Sequence, residues 1–275
     1  MAAFNPQTSQ RLALHLKSLI QPGRPLLLTN IHDPPTTSLA LLHPKTQALA
    51  TASFAVAACA GLPDEELDLA TNLSAISKIR ARMTKEGKHE TIPLTADMQD
   101  GYGDSLKETI EGVVKLGVVG CNLEDSKTTG IAEGKAKLDL ISADAHVRRI
   151  KTALEVAASL GVPDFVVNAR TDCIKLGGTV EEAIERGKKY LAAGATTVFV
   201  WGGVERGLRD AEVKQIVEGL EGKVNVIFRK SIRDALSMKE LGEIGVARIS
   251  MGPLLWREGM AAMKTEMDRI LEGVE

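Results

Sequence analysis

Aromatic side chains are scarce in this chain of 275 residues: five Phe, two Trp and two Tyr make up 3% of it. That shortage excludes the stacking platforms on which single-stranded nucleic acids are held. Charge of one sign is missing too, since 34 basic residues face 36 acidic ones and the formal net charge is −2. Such a balance leaves neither a basic footprint for nucleic acid nor an acidic tail. Cysteine is limited to Cys59, Cys121 and Cys173, with no Cys-x-x-Cys pair. This speaks against a disulfide framework or a zinc knuckle, and for reduced thiols in the cytoplasm. Nor does any stretch approach the roughly 18 continuous apolar residues read as a membrane span. Met1–Leu19 lacks the basic and apolar regions of a signal peptide. Within it Leu12, Leu16, Leu19 and Ile20 fall at helical spacing, so an amphipathic helix is expected over residues 7–20.

What the chain does have is a succession of short β-branched or apolar runs. They are Leu26–Thr29, Ala48–Thr51, Ile92–Ala96, Val118–Leu123, Phe165–Ala169, Thr197–Val200, Val224–Phe228 and Ala247–Ser250. Longer segments of helical period separate them. Thr179 and Glu182 form a capping-box pattern ahead of Val180, Ala183, Ile184 and Leu191, and Gly194 follows as a stop. Ser142 can cap a helix that turns Val147, Ile150 and Leu154 inward, and Ser105 opens another. Strands alternating with helices imply right-handed crossovers and a parallel sheet. Eight such units along this length predict an α/β protein with a (β/α)8 TIM-type barrel; an open doubly wound sheet is the competitor. No linker, low-complexity run or repeat divides the sequence. One domain over residues 1–275 is expected, ending in a helix over 254–271. With few aromatics, the barrel is expected to be packed with small aliphatics around a polar rim.

The active site of such a barrel lies at the C-terminal strand ends. There the sequence supplies Asn30, His32 and Asp33; Thr51 and Ser53; Asp97, Gln99 and Asp100; Glu124 and Asp125; Asn168, Arg170 and Asp172; Trp201; Arg229 and Lys230; and Ser250. Asp97 and Glu124 each close a strand, and hard oxygen ligands at adjacent ends suit Mg2+. Arg170 can clamp a carboxylate or phosphonate with its planar fork. The plainer alternative is that these acids cap the helices that follow.

Four segments in order resemble the isocitrate lyase and phosphoenolpyruvate mutase superfamily: Ala58–Asp64 (Ala-Cys-Ala-Gly-Leu-Pro-Asp), Asp97–Gly103 (Asp-Met-Gln-Asp-Gly-Tyr-Gly), Leu123–Asp125 and Asn168–Asp172. The tail Glu240–Gly252 is similar to that family's last strand. The resemblance implies a (β/α)8 barrel, Mg2+, 2-oxo acid chemistry through an enolate, and homotetramers that exchange the last helix. It also implies roles by position. Asp97 would bind the metal directly, with Asp64 and Glu124 holding its waters. Arg170 would take the substrate's acidic group, with Asn168 and Trp201 beside the pocket. Thr51, Ala52 and Ser53 would line an oxyanion pocket, partly through backbone N–H groups.

Departures from the family pattern narrow the reading. Gln99 stands where the family has a second acid, which predicts weaker Mg2+ binding. The Ser126–Lys135 segment has neither the Cys nor the His of the cysteine-dependent lyases, so those are rejected. Lys127 and Thr128 are the lid's candidates for catalysis, and Trp201 replaces a histidine of the mutases. Other signals reduce to structure. Gly101-Tyr-Gly103 lacks the third glycine of a dinucleotide loop, Asp33 reads as a helix cap, Cys173 as a buried thiol and His146 as surface. The expected function is a Mg2+-dependent enzyme that makes or breaks a C–C or P–C bond in a small 2-oxo or 2-hydroxy acid. The alternative is a barrel that keeps the fold but serves as a binding or scaffold protein.

Overall fold

In the computed structural model, which describes residues 4–132, 135–229 and 236–273, the eight apolar runs pair as parallel strands. They are β1 (Leu26–Ile31), β2 (Leu49–Thr51), β3 (Leu94–Asp97), β4 (Gly120–Glu124), β7 (Val166–Thr171), β8 (Thr197–Val200), β9 (Val224–Ile227) and β10 (Arg248–Ser250). Two more strands, β5 (Ser126–Ala132) and β6 (Lys135–Leu140), form an antiparallel hairpin between β4 and β7. Round the closed barrel the order is β1, β10, β9, β8, β7, β4, β3, β2. The closed α/β barrel expected from the alternation is therefore present, and the open sheet is excluded. The segment read as a lid loop is instead a hairpin, with Thr129 as an extra residue between the pairs Thr128–Leu138 and Gly130–Lys137. The β-branched Thr128, Thr129 and Ile131 favour that extended form.

Helices α1 (Pro6–Leu19), α2 (Pro34–Leu42), α3 (Ser53–Cys59), α4 (Leu69–Lys85), α5 (Leu106–Lys115), α6 (Ala143–Ser159), α7 (Val180–Ala192), α8 (Asp210–Gly219), α9 (Met238–Glu243) and α10 (Leu254–Leu271) complete the chain. Their starts follow the sequence signals. Asp33 caps α2 through Thr36, and Ser142 caps α6. Thr179 caps α7, but the Glu182 carboxylate turns to Arg186 (3.2 Å), so only half of the expected box forms. The apolar faces lie against the sheet. In α5 these are Leu106, Ile110, Val113 and Val114, all buried, each contributing about 1.5–3 kcal/mol. In α6 the buried face includes His146, which sequence spacing assigned to the surface. It packs edge-on against Tyr190 with ring centroids 4.6 Å apart.

The barrel interior differs from the aliphatic packing expected. Asn168 Nδ2 donates to Asn122 Oδ1 (2.8 Å), Thr197 Oγ1 donates to Asn168 Oδ1 (2.6 Å), and Arg248 Nη2 reaches Asn122 Oδ1 (3.2 Å). Because β10 and β4 stand opposite each other in the ring, Arg248 spans the barrel. Its Nε and Nη1 have no partner among the described residues. The aliphatic core lies instead between strands and helices.

Closure joins β1 to β10, with Leu26 opposite Arg248 and Leu28 opposite Ser250. Asn30 fastens the seam: its Oδ1 accepts from Met251 N (2.8 Å) and Gly252 N (3.0 Å), and its Nδ2 donates to Thr51 O (2.8 Å). Helix α1 is held by Gln10 and Lys17, which both reach Asp164, at 2.7 and 3.0 Å. Helix α10 has no buried residue, and a stripe of Met260, Met263, Met267 and Ile270 faces outward. No helix among the described residues is long and apolar enough to cross a membrane.

Candidate active site

Asp97 ends β3 with its side chain buried. Its N–H donates to Thr51 Oγ1 (2.9 Å), and its Oδ2 accepts from the backbone N–H of Ser53 (3.1 Å) at the start of α3. A helix's first amides lack intrahelical acceptors, and Ala52, the residue before α3, offers no capping oxygen. Asp97 thus serves the start of a helix on the preceding strand, not the helix that follows it. Asn72 of α4 fixes the same residue from behind, donating Nδ2 to Asp97 O (3.0 Å) and to the Tyr102 hydroxyl (2.8 Å). Asp97 Oδ1 remains buried with no partner among the described residues. An unsatisfied buried polar atom costs about 1–3 kcal/mol, so this oxygen is built to receive something.

Two acids flank it. Burial and the neighbouring Asp97 raise the Asp64 carboxyl above its ordinary range, against a hydrogen bond from Ser53. Burial pushes Glu124 well above the ordinary range too, more than its single 2.7 Å bond to Arg170 Nη1 pulls it back. Arg170 is otherwise committed to Asp172 through Nε (2.7 Å) and Nη2 (3.1 Å). Burial works against the guanidinium charge, but Asp172 and Glu124 outweigh it and keep Arg170 protonated. Burial also opposes the Asp172 carboxylate, yet Arg170 and Lys175 hold it below its ordinary value. Three of the fork's five N–H groups are spent, which leaves two for an anion. Phe199 and Trp201 lie against the same guanidinium, with ring centroids 5.8 and 5.6 Å away.

The loop after Asp97 is tightly wound. Gln99 (φ 50°) and Tyr102 (φ 58°) are left-handed, a conformation costing an ordinary residue about 1–2 kcal/mol. Gly101 (φ 80°) could not be replaced cheaply, because a Cβ there would meet Leu106 Cδ1 at 2.6 Å. Arg149 Nη1 clamps the loop through Gly103 O (3.0 Å). This winding aims Gln99 Nε2 at Asp64, donating to its backbone O (2.8 Å) and to Oδ1 (3.2 Å). The Gln99 amide therefore steadies Asp64.

The fold brings Thr51, Ser53, Asp64, Asp97, Glu124, Arg170 and Trp201 together, with Ala52 between the first two. Asn168 lies in the barrel interior, spent on Asn122 and Thr197. Lys127 and Thr128 are exposed on β5, opposite Asp139 and Leu138, and none of their hydrogen bonds reaches Asp97, Glu124 or Arg170. The hairpin's base is tied to the site by Ser126 Oγ, which donates to Asp172 Oδ2 (3.1 Å). Lys230, and Glu133 and Gly134 of the lid segment, lie outside the described residues. Asp33 is a helix cap and Cys173 a buried thiol, as read from the sequence.

Sequence reasoning passed over two residues, Asn72, which holds Asp97, and Arg248, which crosses the barrel, and it named Asp172 without its role of orienting Arg170. Asn72 carries a signal, since it shares a core-facing stripe with Ile76, Ile79 and Met83. Arg248 carries one too, a charge set between Ala247 and Ile249.

The donor set fits a hard divalent cation. Carboxylates of Asp64, Asp97, Glu124 and Asp172 face Arg170 and Lys175, leaving formal negative charge for a dication to balance. Asp97 Oδ1, buried without a partner among the described residues, is the oxygen that could bind such an ion directly.

Comparison with known proteins places the chain in a family. The family model described as phosphoenolpyruvate phosphomutase matches residues 16–271. A 2-methylisocitrate lyase of Shewanella oneidensis is 30% identical over 196 residues, which cover 70% of this chain and 63% of that one, less than two thirds of its length. Among solved structures, a Burkholderia cenocepacia protein assigned as a phosphonomutase superposes with a TM-score of 0.79 at 30% identity, covering 96% of this chain and 99% of its own. A phosphonopyruvate hydrolase in complex with oxalate and Mg2+ shares the fold at 22% identity, with a TM-score of 0.78 over 97% of this chain and 87% of that one. The chain belongs to the phosphoenolpyruvate phosphomutase family, within the isocitrate lyase and phosphoenolpyruvate mutase superfamily.

Proposed function

We propose that this chain is a Mg2+-dependent enzyme that makes or breaks a C–C or P–C bond in a small 2-oxo or 2-hydroxy acid, or its phosphonate analogue, beside an enolate-forming carbon. The observation that carries the reading is the buried Asp97 Oδ1, left without a partner at the strand ends beside Asp64 and Glu124. Asp97 would hold Mg2+ directly, and Asp64 and Glu124 would support it. Bound there, the cation stabilises negative charge developing on an enolate oxygen.

The chain's own groups do the rest. Arg170, fixed by Asp172 and flanked by Trp201, offers its two free N–H groups to the substrate's acidic end. Thr51, Ala52 and Ser53 line the opposite wall, and Asn168 keeps β7 in register below. The β5–β6 hairpin, tied to the site through Ser126, would fold over the strand ends and limit access of water. Lys127 and Thr128 would supply acid–base chemistry from it, which requires the hairpin to bend over the site. A lid without the Cys and His of the cysteine-dependent lyases favours the hydrolase and mutase branch or a cysteine-independent lyase.

The exposed stripe on α10 supports a homotetramer in which that helix packs on a neighbouring copy. A cytoplasmic location accords with the three free thiols.

Calorimetry with oxalate, a mimic of the enolate, tests the proposal. Binding should require Mg2+ and should vanish in Asp97→Ala. Oxalate binding that ignores either would overturn the enzyme reading and leave a barrel serving as a binding protein. Lys127→Ala should lower turnover while leaving Mg2+ affinity intact; an unchanged rate removes Lys127 from the catalytic set.

A further inference from the structure

Outside the carboxylate site, one cluster gathers three different ligand chemistries. His32 and Asp33 follow β1, and Cys59 ends α3. A ring nitrogen, a carboxylate oxygen and the Cys59 sulfur all lie within 4.8 Å of one another. We propose that His32, Asp33 and Cys59 bind a zinc-like transition-metal ion, separately from the Mg2+ site.

The donor types carry the first argument. One nitrogen, one oxygen and one sulfur match borderline-soft ions such as Zn2+, whereas the Asp97 site offers oxygen alone. Three protein ligands leave a fourth position for water or a small anion. Tetrahedral bonds of about 2.0–2.3 Å place ligand atoms about 3.3–3.8 Å apart, so the side chains need draw in by only about 1 Å.

The surroundings carry the second. Asp33 Oδ1 accepts from Thr36 N (2.8 Å) and Thr36 Oγ1 (2.7 Å), which fixes the carboxylate and leaves Oδ2 without a hydrogen bond among the described residues. Trp256 of α10 lies beside the Cys59 side chain and is itself held edge-on by Phe54, with ring centroids 5.7 Å apart. Such outer partners orient metal ligands. His32 is 8% exposed, and burial holds its imidazole below its ordinary value, so it is in the neutral, ligating form at pH 7. Burial and Asp33 raise the Cys59 thiol, so binding releases its proton to solvent. Cys59 is the exposed thiol, while Cys121 and Cys173 are buried, which gives an ion an open approach.

The location gives the ion a consequence. Helix α3 starts at Ser53, which holds Asp97, and the loop after Cys59 delivers Asp64. An ion on Cys59 would pin the C-terminal end of α3 to the residues that follow β1.

Co2+ added to protein already saturated with Mg2+ tests the site. The expected result is one equivalent bound per chain with a sulfur-to-cobalt charge-transfer band in the near ultraviolet. That band should persist in Cys121→Ser and disappear in Cys59→Ser. Zn2+ affinity should fall by at least about 100-fold in Cys59→Ser and His32→Gln, with circular dichroism unchanged. As a check needing no variant, Zn2+ should slow iodoacetamide alkylation of Cys59 at least tenfold, by analogy with the ligand-loss scale. No band in the natural protein, a band that survives Cys59→Ser, or alkylation indifferent to Zn2+ would each overturn the proposal.

Discussion

Arg248→Met should make this protein more stable. The guanidinium is 1% exposed and makes one hydrogen bond, at 3.2 Å to Asn122. Its Nε and Nη1 have no partner among the described residues. Burial pulls it from 12.5 down to about 10. At 1.36 kcal/mol per pH unit, that corresponds to roughly 3 kcal/mol of unfavourable charge burial at neutral pH. Methionine fills similar space without the charge. It forfeits the bond to Asn122, about 1 kcal/mol, while Asn122 keeps its bond from Asn168. A net gain of about 1–2 kcal/mol follows. With an unfolding entropy of about 2.1 cal/mol/K per residue, this corresponds to a rise in Tm of roughly 2–4 °C by differential scanning calorimetry. The sign has a pH signature. The folded value lies below the unfolded one, so the cost is present at every pH below about 10 and is relieved as pH rises from there toward 12.5. The gap between the two proteins should therefore narrow in alkali. A fall of several degrees on substitution, or a gap indifferent to alkali, would refute the reasoning and mean that buried water solvates the guanidinium.

Two further outcomes concern other buried groups. Burial holds His146 at about 3, far below its ordinary 6.5, so the native state favours the neutral ring and loses stability as pH falls from 6.5 toward 3. At pH 4 the loss is roughly 3 kcal/mol; urea titrations at pH 7 and 4 should show it in the natural protein and not in His146→Leu. Gln99→Glu restores an acid beside Asp64 but removes the amide donated to it. Mg2+ affinity should tighten about tenfold, a change of about 1.4 kcal/mol, while the metal-free protein loses about 1–2 kcal/mol; identical Mg2+ titrations of the two proteins would contradict the role given to Gln99.

The barrel was legible because each strand announces itself locally, as a short apolar run followed by a polar end and a capped helix. Asp97, Glu124 and Arg170 were legible for the same reason, since strand ends define the site in this architecture, whereas Asp64, on the loop after α3, was reached only through the family resemblance. What escaped depends on contacts across the ring. Arg248 and Asn122 are 126 positions apart, and no local pattern says that they meet. Asp172 stood in view at a strand end, but only the fold shows its fork-to-fork pairing with Arg170. The β5–β6 hairpin was missed because glycine at 130 suggested a loop, whereas pairing between the two segments makes two strands. His146 was misplaced because polarity was weighed above helical phase: it lies four residues before Ile150, on the buried face of α6.

The seam at Asn30 also sets how this protein comes to be folded. Its side chain joins positions 221 and 222 residues away, and bringing such distant points together costs on the order of 5 kcal/mol in chain entropy. Contacts this remote slow the search for the native state. During synthesis, β1 must wait with an unpaired edge until the last strand has left the ribosome. That interval, when an open sheet offers its backbone to any passing strand, is when the chain is most exposed to aggregation.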